Sequence, residues 1–386
     1  MHQGGSLIVI SVTAPLEIIT TDAELEEAVE TALREPQVAL DTEGNSFFRY
    51  PEQLCLVQLA TPTRVWVVDP LAVSDMSPLA RLLADEHVTI LAHGADYDVR
   101  SLDREWGYHI HRLYDTTVAA RFAGIEHFGL GALAEDLLGI VLTKDKRLQR
   151  ADWSLRPLGN EALDYAAGDV RHLMTLRDIL DQKIEALGRA AWVAEECQRI
   201  ADVRFVPPVL ETAFLSVKGS GVLDPKALAI FKELFTFRDG EARRRGVPPF
   251  RILPDSALLH LAAHPQDDLA DAPGLNENGI QRYGRGLQEA ISTGTGKPPV
   301  YRPKMAAGRP MPEEANRLKK LKQWRVQEAT RLELDQSLVW SAVNLERLSR
   351  TPGDVQAAMD APEVRRWQRA EFEASLRACL AELLQA

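Results

Sequence analysis

Apolar and polar positions divide the chain into a first half of short apolar runs and amphipathic stretches, and a second half that is almost wholly helical in period. Leu25, Ala28, Val29 and Leu33 recur at helical spacing after Thr21 and Asp22, which predicts a capped helix over residues 22–34. Three compact apolar runs, at 37–42, 54–60 and 64–69, read as strands. Thr61-Pro62-Thr63 joins the last two as a hairpin. A helix at 76–86, a strand at 88–92 and a helix at 96–106 follow, and residues 115–140 and 160–187 are mostly helical in pattern. Strand, hairpin, then alternating helix and strand indicates an α/β domain with a mixed sheet. Leu7-Ile8-Val9-Ile10 is short and lacks a basic flank, so it reads as an early strand and not as a signal peptide.

Proline and glycine punctuate the second half. Residues 205–225 carry Pro207, Pro208, Gly219 and Gly221 and read as a linker. A helix with proline in its first turn runs from Pro225 to about Arg245 and is broken by Val247-Pro248-Pro249. Asp255 is the expected N-cap of the next helix, and two more reach about Ile291. Residues 294–312 hold five prolines and four basic residues and read as a second linker. From Glu313 the pattern is helical again, interrupted at Thr351-Pro352-Gly353.

Composition adds a boundary, and charge adds a direction. No apolar run approaches membrane-spanning length, and Cys55, Cys197 and Cys379 lie far apart without a metal or redox spacing. The chain therefore reads as a reducing-compartment, cytoplasmic protein, with no membrane association and no obligate protein partner evident. Its net charge is −11. Residues 1–207 hold 19 basic against 33 acidic residues, a balance of −14, while residues 208–386 stand at +3. Within the latter, residues 296–331 stand at +7, a stretch suited to gripping a polyanion or to forming a solvated linker and helix face.

The candidate chemistry begins at Asp41-Thr42-Glu43, which closes the apolar run Val38-Ala39-Leu40. Carboxylates at i and i+2 of a strand share a face, and two adjacent anions at a buried strand end call for a cation. Carboxylate oxygens suit Mg²⁺ or Mn²⁺. Asp98 follows the strand at 88–92, on the next helix. Tyr165 and Asp169 stand at i and i+4, on one helix face. Singly, each has a bland alternative: a solvated acid, a helix-surface acid, an aromatic at the core edge. Together, four carboxylates are suited to hold two divalent cations about 4 Å apart for in-line attack on a phosphodiester, with Tyr165 orienting or deprotonating the attacking water. No P-loop, zinc signature or nucleophile-elbow serine is present.

Residues 38–43, Leu54-Cys55-Leu56-Val57-Gln58-Leu59-Ala60, Val68-Asp69-Pro70-Leu71, residues 93–98, Asp152-Trp153-Ser154-Leu155-Arg156-Pro157-Leu158 and residues 165–169 together resemble ribonuclease D. Residues 226–291, with Pro248-Pro249-Phe250, Leu253-Pro254-Asp255 and Tyr283-Gly284, resemble a helicase-and-RNase-D C-terminal (HRDC) domain, and residues 314–386 are similar to its more divergent second copy. The resemblance implies an α/β, RNase H-like exonuclease domain followed by two all-α HRDC-like bundles. The expected division is 1–207, 208–293, a basic Pro-rich linker at 294–312, and 313–386.

The same resemblance implies a metal-dependent 3′→5′ exoribonuclease that trims structured RNA precursors such as tRNA and releases nucleoside 5′-monophosphates. Asp41, Glu43, Asp98 and Asp169 would bind the two divalent cations, Mg²⁺ or Mn²⁺, and Tyr165 would place the water. Two rival readings remain: a DNA 3′→5′ exonuclease, and a nucleic-acid-binding protein whose nuclease has decayed. Gln58, His93, Lys144, Arg147 and Arg150 are candidate RNA contacts, and the last three, with Lys146, precede the Asp152-Trp153 motif. The helical modules are expected to hold RNA and to be removable as a block, 208–386, without loss of the nuclease. Trp324, Trp340 and Trp367 are candidates for base stacking or for core. Asp115 is expected to cap a helix. Members of the family carry a bulky apolar residue directly after the first Glu; this chain has Gly44, and Phe47 or Phe48 is expected to fill the space.

Overall fold

The computed structural model describes residues 14–142, 145–303 and 311–385; the strand expected at residues 7–10 lies outside them. Six strands form one mixed sheet: β1 (Leu16–Ile19), β2 (Gln37–Gly44), β3 (Leu54–Ala60), β4 (Val65–Val68), β5 (Thr89–Ala92) and β6 (Leu113–Asp115). Their order is β1-β4-β3-β2-β5-β6. β2, β3 and β4 pair antiparallel, and the hairpin expected at residues 61–63 joins the last two. β1 on β4, β5 on β2 and β6 on β5 are parallel. β1 and β6 have four and three residues, too short for an alternation to be legible in sequence.

Helices α1 (Asp22–Ala32), α2 (Ser77–Ala84), α3 (Asp96–Trp106), α4 (Thr116–Phe122), α5 (Leu130–Leu133), α6 (Lys146–Gln149), α7 (Asn160–Arg171), α8 (Leu173–Ala186) and α9 (Ala190–Ala201) complete the first region. Thr21 caps α1 through a reciprocal capping box with Glu24. Strand alternation sorts β2 between two cores. Val38 and Leu40 pack with α1, α2 and α3 through Leu25, Val29, Leu79, Leu82, Val99 and Leu102. Ala39 faces the other layer, with Phe122, Val170, Leu173 and Leu176. Asp41 and Glu43 continue the Ala39 side, so strand period carries both carboxylates toward α7. A register shift between Glu43 and Gly44 ends the regular pairing with β3.

The second half holds α10 (Leu210–Ala213), α11 (Pro225–Arg245), α12 (Pro249–Ile252), α13 (Asp255–Ala263), α14 (Glu277–Gly296), α15 (Pro312–Leu332), α16 (Gln336–Val339), α17 (Ala342–Arg350), α18 (Val355–Met359) and α19 (Arg366–Gln385). Asp255 is the first residue of α13, with Pro254 at the cap. Its carboxylate accepts from Arg238 Nη1 at 2.7 Å instead of closing the helix. The stretch read as a linker at 205–225 is partly built in: Phe214 and Ser220 are buried against the α11–α14 bundle. Arg302, in the second expected linker, donates to Leu215 O and Ser220 Oγ, and Val300 N donates to Pro225 O.

The two helical regions join the nuclease differently. Helices α11–α14 have a core of their own around Phe231, Leu234, Leu258 and Leu287. They meet the sheet domain where Tyr50 donates to Asp239 and Arg251 lies 4.5 Å from the Phe48 ring centre. Helices α15–α19 share one continuous core with α4, α8 and α9. Trp367 stacks on Trp192 at 4.7 Å and meets Phe122 edge-on at 5.2 Å. Arg189 donates to Phe122 O and Leu332 O, and Arg365 pairs with Glu196 at 2.7 Å. Trp324, Trp340 and Trp367 are buried in this core and are not available for base stacking. Removing 208–386 as a block strips apolar cover from Phe122 and Trp192, which corrects the expectation of a freely separable nuclease. In the +7 stretch, Lys297, Arg302, Arg317, Arg325 and Arg331 are engaged by protein groups. Lys319, Lys320 and Lys322 stand exposed on α15.

Candidate active site

Asp41, Glu43 and Asp169 meet at the end of β2, with one carboxylate oxygen from each within 4.8 Å of the others. Helix α7 supplies Asp169 and, one turn earlier, Tyr165, on the face turned to β2. The Asp152–Leu158 segment seats that helix. Arg156 forms a two-pronged ion pair with Asp69 at 2.5 and 2.6 Å, and also donates to Trp153 O and Cys55 O. Trp153 is thereby buried against Tyr165, with ring centres 6.2 Å apart. The motif is a clamp joining β3, the end of β4 and α7, so its polar groups serve packing.

Asp98 comes from the opposite layer. It lies in the first turn of α3, whose Val99 and Leu102 pack on the Leu40 side of the sheet. Thr42 points to that side too, and its hydroxyl donates to Asp98 Oδ1 at 2.5 Å. The residue between the two strand carboxylates thus holds the fourth one beside them. Asp115 caps α4 through Thr117 N at 2.8 Å and also accepts from Gly94 N and Ala95 N at 3.0 and 2.8 Å. It is a fastener for the turn that opens α3, in keeping with the capping role expected for it.

Burial and mutual repulsion define the electrostatics. Burial, then the charges of Asp98, Asp169 and Glu43, hold the Asp41 carboxyl well above the usual carboxylate range. Glu43 is pushed up to about 9 by burial and by Asp169 and Asp98. Burial raises Asp98 to about 7 against the opposing Thr42 hydrogen bond, and raises Asp169 to about 7. Burial and the neighbouring carboxylates push the Tyr165 phenol upward, so it remains a neutral hydroxyl. Among the described residues, no Lys, Arg or His forms an ion pair with any of the four acids. Such a cluster is stable only protonated or beside an added cation, and an all-oxygen donor set of this kind fits a hard divalent ion.

Asp41, Glu43 and Asp169 open into a cavity of about 830 Å³, whose wall includes Phe47, His93, Tyr97, Lys146, Gln149 and Arg150. His93 is half-buried and within 2.9 Å of Thr116 Oγ1 through Nδ1; burial lowers its pKa, with Asp115 opposing. Arg150 is exposed on the wall, its guanidinium 6.0 Å from the Phe47 ring centre. Two expected RNA contacts are placed elsewhere. Gln58 is 0% exposed on β3, opposite Asp41, with both amide atoms unpartnered. A fully buried side chain beside Asp41 is not an RNA-facing group. Arg147 is turned onto Asp145, with Nη2 to Oδ2 at 2.6 Å, and is not on the wall. Lys144 lies outside the described residues. Neither Phe47 nor Phe48 fills the space over Gly44. Phe48 lies under Arg251, Phe47 is exposed in the cavity, and the Tyr97 hydroxyl occupies the position next to Gly44. Tyr97 and Thr42 were not singled out from the sequence. The bare Gly44 was the signal for the first, and the alternating face between two acids for the second.

A mixed sheet with flanking helices and a carboxylate cluster at the end of its central strand defines a 3′→5′ exonuclease of RNase H-like fold. Residues 16–185 match the family model described as 3′-5′ exonuclease, and residues 227–291 match the HRDC domain. Ribonuclease D of Gluconacetobacter diazotrophicus is 33% identical over 365 residues, spanning 92% of this chain and 90% of that protein. The crystal structure of Escherichia coli RNase D, described as an exoribonuclease involved in structured RNA processing, superposes with a TM-score of 0.73 at 25% identity, covering 95% of this chain and 99% of that one. The catalytic core of RRP6 from Trypanosoma brucei superposes with a TM-score of 0.65 at 25% identity, covering 74% and 81%. The chain belongs to the ribonuclease D family of 3′→5′ exoribonucleases. No described helix is long and apolar enough to cross a membrane.

Proposed function

We propose that Asp41, Glu43, Asp98 and Asp169 hold two divalent cations, Mg²⁺ or Mn²⁺, and that the protein trims the 3′ ends of structured RNA precursors such as tRNA, releasing nucleoside 5′-monophosphates. The observation that supports this most is the convergence of three unpaired carboxylates within 4.8 Å, with Thr42 tying the fourth alongside. When bound, the cations would acidify a water and neutralise charge on the leaving oxygen.

The remaining roles belong to the chain's own groups. The Thr42 hydroxyl fixes the Asp98 carboxylate so that α3 and β2 act on one centre. The Tyr165 hydroxyl, neutral and packed by Trp153, positions the attacking water by hydrogen bonding. Arg150 and Lys146 on the cavity wall neutralise backbone phosphate upstream of the scissile bond. The proposed division of labour follows residues 1–207 for catalysis, with 208–293 and 313–386 as helical modules and 294–312 as their connection. The structured-RNA substrate rests on likeness to the Escherichia coli enzyme.

The test is a pair of 5′-labelled oligonucleotides of one sequence, RNA and DNA, incubated with Mg²⁺, Mn²⁺ or EDTA. RNA should shorten one nucleotide at a time from its 3′ end with either ion and stay intact in EDTA. Cleavage that persists in EDTA rejects the metal assignment, and cleavage of DNA alone rejects the substrate.

A further inference from the structure

Gly44 directly follows the acid Glu43, and Tyr97 directly precedes the acid Asp98. The fold brings these two flanking positions together. A Cβ built on Gly44 would lie 2.4 Å from the Tyr97 hydroxyl and 3.7 Å from its Cζ, closer than the hydroxyl tolerates. The tyrosine therefore occupies volume that any other residue at 44 would claim. Tyr97 is 41% exposed and forms part of the cavity wall. Its hydroxyl is held near Gly44 and Ser101, while part of the residue stays open to the cavity beside Glu43 and Asp98.

We propose that Tyr97, admitted by the absence of a side chain at Gly44, is the residue on which the base of the 3′-terminal nucleotide stacks. The reasoning is positional. The scissile phosphate must lie at the carboxylates, and the terminal nucleoside is attached directly to it. Of the two exposed aromatic side chains on the wall, Tyr97 is covalently adjacent to Asp98 and in contact distance of the residue after Glu43. Phe47 lies farther along the chain, paired with Arg150 on the side where the upstream strand would run. A π-face accepts any base, which is what stepwise shortening of mixed sequence requires. Glycine at 44 and tyrosine at 97 thus form one specificity device in two parts. The inference rests on the carboxylate-centre reading above.

The test compares two short single-stranded RNAs, one ending in an ordinary nucleotide and one whose 3′-terminal residue is abasic, with the full chain and Mg²⁺. Wild-type protein should prefer the ordinary end by about tenfold or more in kcat/KM, through KM, a range set by stacking on one aromatic side chain. Tyr97→Phe should keep that preference. Tyr97→Ala should erase most of it with little change in kcat. A 3′-terminal 2-aminopurine, whose emission falls on stacking, should be quenched by wild type and Tyr97→Phe and not by Tyr97→Ala. Gly44→Leu should displace the tyrosine and lower the preference, whereas Gly44→Leu combined with Tyr97→Ala should do no further harm. This non-additivity keeps the test decisive even where one single variant folds poorly. A Tyr97→Ala protein that retains the wild-type preference and quenching overturns this inference alone. A wild-type protein that cleaves neither RNA overturns it together with the reading of the carboxylates.

Discussion

The floor of the cavity and its wall are built by different rules. The floor is made of Asp41, Glu43, Tyr165 and Asp169 on β2 and α7, with Asp98 of α3 tied behind them through Thr42, all in regular secondary structure. The wall is made of Phe47 and Arg150 from turns, Lys146 from the single-turn helix α6, and Tyr97 from the first turn of α3. Floor acids have no cationic partner among the described residues, and burial and mutual repulsion raise their pKa values. Wall residues already have protein neighbours: Arg150 beside Phe47, and Tyr97 over Gly44. The contrast separates chemistry from grip. Changes in the floor should act on the cleavage rate, and changes in the wall on affinity and on the identity of the bound end.

The largest effect should come from Asp41, which three other carboxylates surround. Asp41→Asn should lower the single-turnover rate by about 10³-fold or more, since metal centres supply several kcal/mol of transition-state stabilisation. The metal-free variant should melt at the wild-type temperature or above it, because an acid whose ionisation burial and three neighbouring carboxylates oppose is gone. Wild-type turnover in Mg²⁺ by this variant would remove Asp41 from the floor. Next comes Tyr165→Phe, which keeps the ring against Trp153 and loses the hydroxyl. Its single-turnover rate should fall by about 10²-fold with RNA affinity unchanged. A weakened affinity at an unchanged rate would move Tyr165 from floor to wall.

A third prediction concerns pH and stability of the metal-free protein. Glu43 is raised to about 9 and Asp98 and Asp169 to about 7 in the fold, against about 4 in an unfolded chain. Above pH 4 the folded state binds more protons than the unfolded state, so stability falls as pH rises, continuing until pH 9 is passed. Divalent cations should reverse that loss, and the gain in Tm on adding Mg²⁺ should grow from pH 5 to pH 9. Thermal melts across that range, with and without EDTA, give the answer; a pH-independent gain would place the cation away from the floor. The smallest effect should follow Arg150→Ala on the wall. RNA affinity should drop a few-fold, and the salt slope of log affinity should become shallower by about one ion. A collapse of the cleavage rate in that variant would erase the distinction between wall and floor.

The same division decides what could be read in the sequence. The floor obeys spacings fixed by local geometry: i and i+2 on β2, i and i+4 on α7. Those survive translation from sequence to structure, and so do α11, whose proline start and glycine end are local signals, and the β3–β4 hairpin. The wall depends on which distant segments meet. Nothing local states that Tyr97 covers Gly44, that Phe48 leaves the cavity for Arg251, or that Arg147 folds back on Asp145. Gln58 illustrates the limit of motif reading: its neighbourhood in the chain is right for the site and the pleat sets it on the same face as Asp41, but tertiary packing leaves it fully buried. The helical half shows the same effect at larger scale. Helical period revealed both modules, while only the tertiary contact of Trp367 with Trp192 and Phe122 shows that the second is continuous with the nuclease core.

The most direct test of the carboxylate floor is anomalous diffraction from crystals of the full chain grown or soaked with Mn²⁺. Two anomalous peaks should lie between Asp41, Glu43, Asp98 and Asp169, both lost in Asp41→Asn, with the wall side chains unmoved. Absence of density among these four acids, or manganese bound solely elsewhere, would contradict the assignment of the floor as the metal-binding centre.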